Sequence, residues 1–268
     1  MRVMAGKTIL FCRPAAESGE FKRLFAQAGS NVIFFPTFKI RYRDVREDAE
    51  VRARLESADQ CDRLIFSSVK GVEAFRRALQ QLRLPLSAYQ APPVATVGNK
   101  AADYLLKYWP GAVITHHADS LQELLDLLAA QSPEEEQRLL HPTSEQSEQH
   151  ISLRLPATIQ LERLPLYETV PEDRYSPEMI RTIRARECDV IVFSSPTTFD
   201  YFRELVGDDN PLNRAALAVF GATTRRHIEQ AGYSVSIQPE APSPRALVEA
   251  VERYFLHGAR SMGHGAKE

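Results

Sequence analysis

The chain reads as an α/β protein: two similar parallel-sheet α/β domains joined by a two-stranded linker, the first domain discontinuous in sequence. Three observations predict this. Short apolar runs alternate with segments of helical period along most of the length. One strand–turn–helix unit is written twice, as DRLIFSSVKGVEAFRRAL from Asp62 to Leu79 and DVIVFSSPTTFDYFREL from Asp189 to Leu205. Landmarks within and beyond that unit recur in one order at nearly constant spacing: Ser67 with Ser194, Gly98 with Gly221, Ser120 with Ser243.

Taken in order, Thr8 to Cys12 is an apolar strand that ends at Arg13-Pro14. A helix follows from Ser18 to Ala28, with Phe21, Leu24, Phe25 and Ala28 on one face and Gly29 as its stop. Val32 to Phe35 is a second strand, and Pro36-Thr37-Phe38 carries the chain onward. Arg41 to Asp59 is charged, with a helix over Ala49 to Leu55. The first repeat copy supplies strands at Leu64–Phe66, Ala95–Val97 and Ala112–Thr115, and helices at Val69–Leu82, Asn99–Tyr108 and Ser120–Ala130. Next come a strand at Arg138–His141, a polar turn, a helix near Glu145–Leu153 and a strand at Ile159–Arg163. Pro165-Leu166-Tyr167 leads out, and the second copy runs from Asp189 to Phe255.

The copies complete themselves differently. Leu139-Leu140-His141-Pro142 matches Phe11-Cys12-Arg13-Pro14, and Leu164-Pro165-Leu166-Tyr167 matches Phe35-Pro36-Thr37-Phe38. The first copy is therefore finished by the strand–helix–strand unit after it, whereas the second must borrow residues 8 to 36. This predicts one domain from 1–38 with 172–258, an inserted domain over 45–165, and linkers at 37–45 and 166–172 that act as a hinge. Each domain is expected to hold five strands, and the polar, Gly-rich tail over 259–268 to be disordered.

Composition narrows the function. The 268 residues are 44% hydrophobic and 25% charged with a net charge of −2, ordinary values for a globular protein. A dominant basic face for nucleic acid is missing from that balance, and no apolar run approaches the roughly 18 residues of a membrane span. The opening MRVMAGKTILFCRP is too short in apolar residues for a signal peptide. Three widely spaced cysteines, Cys12, Cys61 and Cys188, suggest neither a disulfide framework nor a zinc site. A cytoplasmic monomer is the expectation.

Parallel sheets bind ligands beyond the carboxyl ends of their strands. Short polar residues gather at those turns: Ser67-Ser68, Gly98-Asn99-Lys100, Thr143-Ser144, Ser194-Ser195, Gly221-Ala222-Thr223-Thr224 and Ser243. They read either as plain helix caps or, as a set, as an anion site made of free backbone N–H groups and helix dipoles. Neither a G-x-G-x-x-G pattern nor a P-loop is present, so NAD and ATP are poorly supported. His116-His117 are adjacent and point apart on an extended chain, a poor metal pair. His141 is either a solvated strand end or a site residue, and Glu134-Glu135-Glu136 is simplest as a solvated loop. Tyr167 lies on a predicted linker, as a packed aromatic or as a phenol placed for proton donation.

The ordered set ILFCRP, LIFSSVKGVEAF, VATVGNKAADYL, LPLYETVP, DVIVFSSPTTFDYF and FGATTRRHIEQAGYSVSIQPEAPSPRALVEAVERYF resembles the uroporphyrinogen-III synthase family over residues 8 to 256. That resemblance implies two linked α/β domains and no cofactor or metal. It implies a polycarboxylate substrate, hydroxymethylbilane, which loses its terminal hydroxyl as water to give an azafulvene. Ring D then inverts through a spiro intermediate, and the macrocycle closes to uroporphyrinogen III. The family's linker tyrosine, which helps the hydroxyl leave, falls on Tyr167. Its glycine–threonine turn falls on Gly221, Thr223 and Thr224, and its serine turns on Ser67, Ser68, Ser194 and Ser195. Arg13, Gly98, Asn99, Lys100, Thr143 and Ser144 complete the expected substrate-binding set. Lys100-Ala101 and His141-Pro142 depart from the family's usual threonine and Arg-Gly. A transient hand-off from the preceding pathway enzyme is a further expected partnership. The alternative is a non-catalytic two-domain binding protein for a small polyanionic ligand, with the same turns.

Overall fold

The structure, a computed structural model, describes residues 3–15, 18–84, 92–131, 134–147, 154–185, 188–207 and 211–262, the last five by backbone alone. The chain divides into two compact units, Met1–Lys39 with Pro171–Glu268, and Ile40–Val170.

In the first unit, strands β1 (Thr8–Phe11), β2 (Asn31–Phe34), β9 (Val190–Phe193), β10 (Ala216–Val219) and β11 (Val235–Ile237) form one parallel sheet ordered β11-β10-β9-β1-β2. Alternate residues of each strand serve opposite faces. Ile9, Phe11, Val190 and Val192 pack with α1 (Gly19–Gln27) and α9 (Pro244–Met262). Leu10, Ile191, Phe193, Leu217 and Val219 pack with α6 (Pro177–Ala185), α7 (Pro196–Val206) and α8 (Ala222–Gln230). Burial on both faces is why these strands read as unbroken apolar runs rather than as alternating ones.

The second unit repeats the plan. Strands β4 (Arg63–Phe66), β5 (Val94–Val97), β6 (Ile114–Ala118), β7 (Gln137–Ser144) and β8 (Ile159–Pro171) pair in parallel in the order β8-β7-β4-β5-β6. Leu64 and Phe66 face α2 (Ala49–Glu56), α3 (Val69–Gln81) and α4 (Asn99–Tyr108), while Ile65, Ala95 and Leu139 face α5 (Leu121–Gln131).

Several elements differ from the sequence expectation. This sheet has six strands rather than five, because β3 (Phe38–Tyr42) joins its edge beside β8. The Arg43 N–H donates to the Leu166 carbonyl and the Glu172 N–H to the Thr37 carbonyl, so β3 and β8 run antiparallel. The two stretches expected as the two-stranded linker are thus paired with each other as strand, since an unpaired backbone next to a free sheet edge forgoes its hydrogen bonds. β8 is continuous from Ile159 to Pro171, and β7 runs through the expected polar turn at Thr143-Ser144. Pro142 and Pro165 are tolerated because the β7–β8 register slips beside them, between Thr143 and Ser144. β6 lies further along than Ala112–Thr115 and takes in His116 and His117, because backbone pairing with β5 decides an edge strand whose apolar pattern is weak. Helix α6 has no counterpart in the sequence expectation, although Ser176 caps it by accepting the Met179 N–H at 3.2 Å. The backbone of helix α9 runs on to Met262, past the expected start of the tail at 259. Residues 263–268 of that tail, and 148–153 of the expected helix after Glu145, lie outside the described residues.

Candidate functional site

A doubly wound sheet presents its ligand crevice where the strand order reverses, at the carboxyl ends of the two strands that flank the reversal. In the second unit that point lies between β4 and β7, and in the first between β9 and β1. At those strand ends stand Ser67-Ser68, just past β4, with His141 to Ser144, the last residues of β7, and in the other unit Ser194-Ser195 with Arg13.

Ser68 is the N-cap of α3: its backbone is extended, and its Oγ accepts the Gly71 N–H at 3.0 Å. Gly71 fixes where this helix starts. A Cβ at that position would lie 2.7 Å from the Pro142 carbonyl oxygen, so only glycine lets the first turn of α3 rest on the end of β7. The sequence reading passed over Gly71, though its repeat partner, Thr198, offered a signal. There the side chain closes a capping box with Ser195 instead of yielding space.

Ser67, the other hydroxyl of the pair, hydrogen-bonds His141 Nε2 at 2.7 Å. His141 is 2% exposed, so it is not a solvated strand end. Burial lowers its pKa to about 4, and the charge of Arg163 adds to the effect, so the ring is neutral at physiological pH. Ser68 Oγ lies 3.3 Å from Tyr167 OH. That separation is long for an O–H···O bond, whose usual length is about 2.7–2.8 Å, and it leaves the phenol weakly held. Tyr167 is half-buried on β8, in register with Ser144, and packs against the core of its unit. It also lines a cavity of ≈ 320 Å³ with Arg41, Arg43, Glu145 and Glu168, none of which the sequence reading singled out. The cations there are matched: Arg41 pairs with Glu168 at 2.7 Å, and Arg43 with Asp48 at 2.8 Å and Glu145 at 3.6 Å.

The two glycine turns behave differently from the serine turns. Gly98 (φ 72°) and Gly221 begin α4 and α8 with no side-chain cap, so the first N–H groups of these helices face the sheet edge without a side-chain acceptor. Ser68 and Ser195, by contrast, commit their oxygens to their own helices. Capping therefore accounts for those two serines, and anion recognition is best served at Gly98 and Gly221. Asn99, Lys100 and Thr223 are exposed beside them, whereas Thr143 and Thr224 are buried, at 6% and 5%, and Ser144 is half-buried. The structure thus brings Ser67, Ser68, Thr143, Ser144 and Tyr167 to the switch point of one unit, with Gly98, Asn99 and Lys100 one strand away. Arg13, Ser194 and Ser195 stand at the switch point of the other unit, with Gly221, Thr223 and Thr224 one strand away. Among the described residues no helix is long and apolar enough to cross a membrane.

Comparison with known proteins bears on the family and the fold. A family model described as uroporphyrinogen-III synthase HemD matches residues 19–249. A uroporphyrinogen-III synthase from Chlorobaculum parvum is 25% identical over 258 residues, covering 92% of this chain and 100% of the relative. Among solved structures, a mutant uroporphyrinogen III synthase from the extremely thermophilic bacterium Thermus thermophilus aligns with a TM-score of 0.56 at 17% identity, covering 94% of this chain and 100% of the other. The uroporphyrinogen-III synthetase of Helicobacter pylori aligns at 0.57 and 14% identity, covering 96% and 99%. Those two structures share the fold.

Proposed function

The chain belongs to the uroporphyrinogen-III synthase family, an enzyme family of tetrapyrrole biosynthesis, and from that premise we propose that it closes hydroxymethylbilane to uroporphyrinogen III with inversion of ring D. In this reading Tyr167 donates its phenolic proton to the departing hydroxyl, which leaves as water. The substrate's carboxylates are met by the first-turn amides that follow Gly98 and Gly221, which no side chain caps, and by hydroxyl protons at the switch points. Left alone, the substrate closes without inversion, so the enzyme's contribution is to hold a conformation in which the terminal ring turns over first.

The observation that carries this reading is the meeting of Ser68 and Tyr167 at the switch point of the second unit, where neither group is consumed by a strong bond to the other. A non-catalytic binding role has no such use for a weakly held phenol, and the named relative is a synthase. The test is isomer analysis: the purified chain is fed hydroxymethylbilane, the product is oxidised, and type I and type III porphyrins are separated. Type III in excess is expected. Type I alone would remove the proposal.

A further inference from the structure

Ser67 and His141 form a pair that this reading does not explain. A neutral imidazole has one N–H and one lone pair. Nε2 is bonded to Ser67 Oγ at 2.7 Å, while Nδ1 is buried with no hydrogen-bond partner among the described residues. Two tautomers satisfy the Ser67 bond. With the proton on Nδ1, a buried N–H is orphaned, which folded proteins rarely tolerate, and Ser67 must turn its own proton toward the ring. With the proton on Nε2, the orphan is a lone pair, the lesser penalty, and the ring is the donor.

We propose that His141 is a positioning residue that makes Ser67 an obligate outward donor: Nε2–H occupies one lone pair of the Ser67 oxygen, and the hydroxyl proton is turned to the sheet edge to meet a substrate carboxylate. The inference rests on the proposed function for the identity of that carboxylate, but not for the state of the ring. Burial keeps the ring neutral at working pH, so it orders the hydroxyl without adding charge. The matching strand end of the first unit carries Arg13, a permanent cation. The two units thus offer different chemistry at equivalent places, a neutral donor at one and a charged one at the other.

Ring ¹⁵N–¹H correlation spectra of the full chain without substrate at pH 7 test the central point. The expected result is a protonated Nε2 and a bare Nδ1 for His141. A proton on Nδ1, or on both nitrogens, overturns the proposal whatever the enzyme's activity. Kinetics supply the second arm. Ser67→Ala is expected to raise KM for hydroxymethylbilane roughly tenfold or more, the loss of one hydrogen bond to a charged group. His141→Phe should do the same, and the double variant should be no worse than either single one. His141→Gln, which keeps an N–H near the Nε2 position, should restore most of the affinity. Losses that multiply in the double variant, or a His141→Gln variant as impaired as His141→Phe, would mean a merely structural ring and overturn the proposal. If the unaltered chain forms no type III product, the functional reading fails, while the spectra still decide the ring.

Discussion

Burial and the Arg163 charge hold the His141 pKa near 4, against 6.5 for the free side chain. Between those values the unfolded chain binds a proton that the folded chain does not, so stability is fully present above pH 6.5 and falls as pH drops toward 4. The loss attributable to this ring is about 3 kcal/mol. Urea titrations of the unaltered chain and of His141→Gln across that range should differ by it, and parallel pH curves would contradict the assignment. Gly71 and Gly98 call for glycine for separate reasons. Gly71→Ala drives a methyl group into the Pro142 carbonyl, an overpacking cost of about 1–3 kcal/mol. It should also slow type III formation, because Ser68 caps the helix that must shift. Gly98→Ala has open space around it but a φ of 72° with ψ 143°, so its cost of about 1–3 kcal/mol is backbone strain alone. Tyr167→Phe keeps the ring in its packing and removes only the acid. Type III formation should slow by at least about tenfold, given that general acids contribute about 10²–10⁴, and an unchanged rate would exclude the acid role.

At the scale of the element, helix α7 begins with a complete capping box, Ser195 and Thr198 each bonding the other's backbone, with Pro196 in its first turn. Ser195→Ala should therefore cost about 1 kcal/mol, read as a shift in the urea midpoint without change in slope. These starts were legible in the sequence, because Ser-Ser before an apolar period is a local signal that does not depend on the rest of the chain. The strand ends were not. β7 runs past Pro142, and β8 passes from a parallel partner to the antiparallel β3, because partners distant in sequence decide where a ladder stops. β6 at the sheet edge needs only half-burial, and its apolar pattern is correspondingly faint. The Ser67–His141 bond joins residues that the sequence placed at the same edge, but their contact and the ring's burial required the fold.

The internal repeat made the two-unit plan legible, since two copies with different completions fit one parallel sheet each. Each unit has apolar clusters on both faces of its own sheet, and Trp109, the chain's one tryptophan, packs in the second. Tryptophan fluorescence thus reports that unit alone, while circular dichroism reports both. Phe75→Ala, which empties a fully buried site in the second unit at a cost of about 3–5 kcal/mol, should move the fluorescence transition and split it from the dichroism transition. Transitions that moved together would mean that the units unfold as one. The account as a whole rests on recognition at the carboxyl ends of the strands in both units. It is tested most directly by titrating uroporphyrinogen III into the isotope-labelled chain and mapping the backbone amide shifts. The prediction is perturbation at Ser67, Gly98 and Asn99 in one unit and at Ser194, Gly221 and Thr223 in the other. Shifts confined to the opposite sheet edges, at Thr8, Asp189 and Arg63, would contradict it.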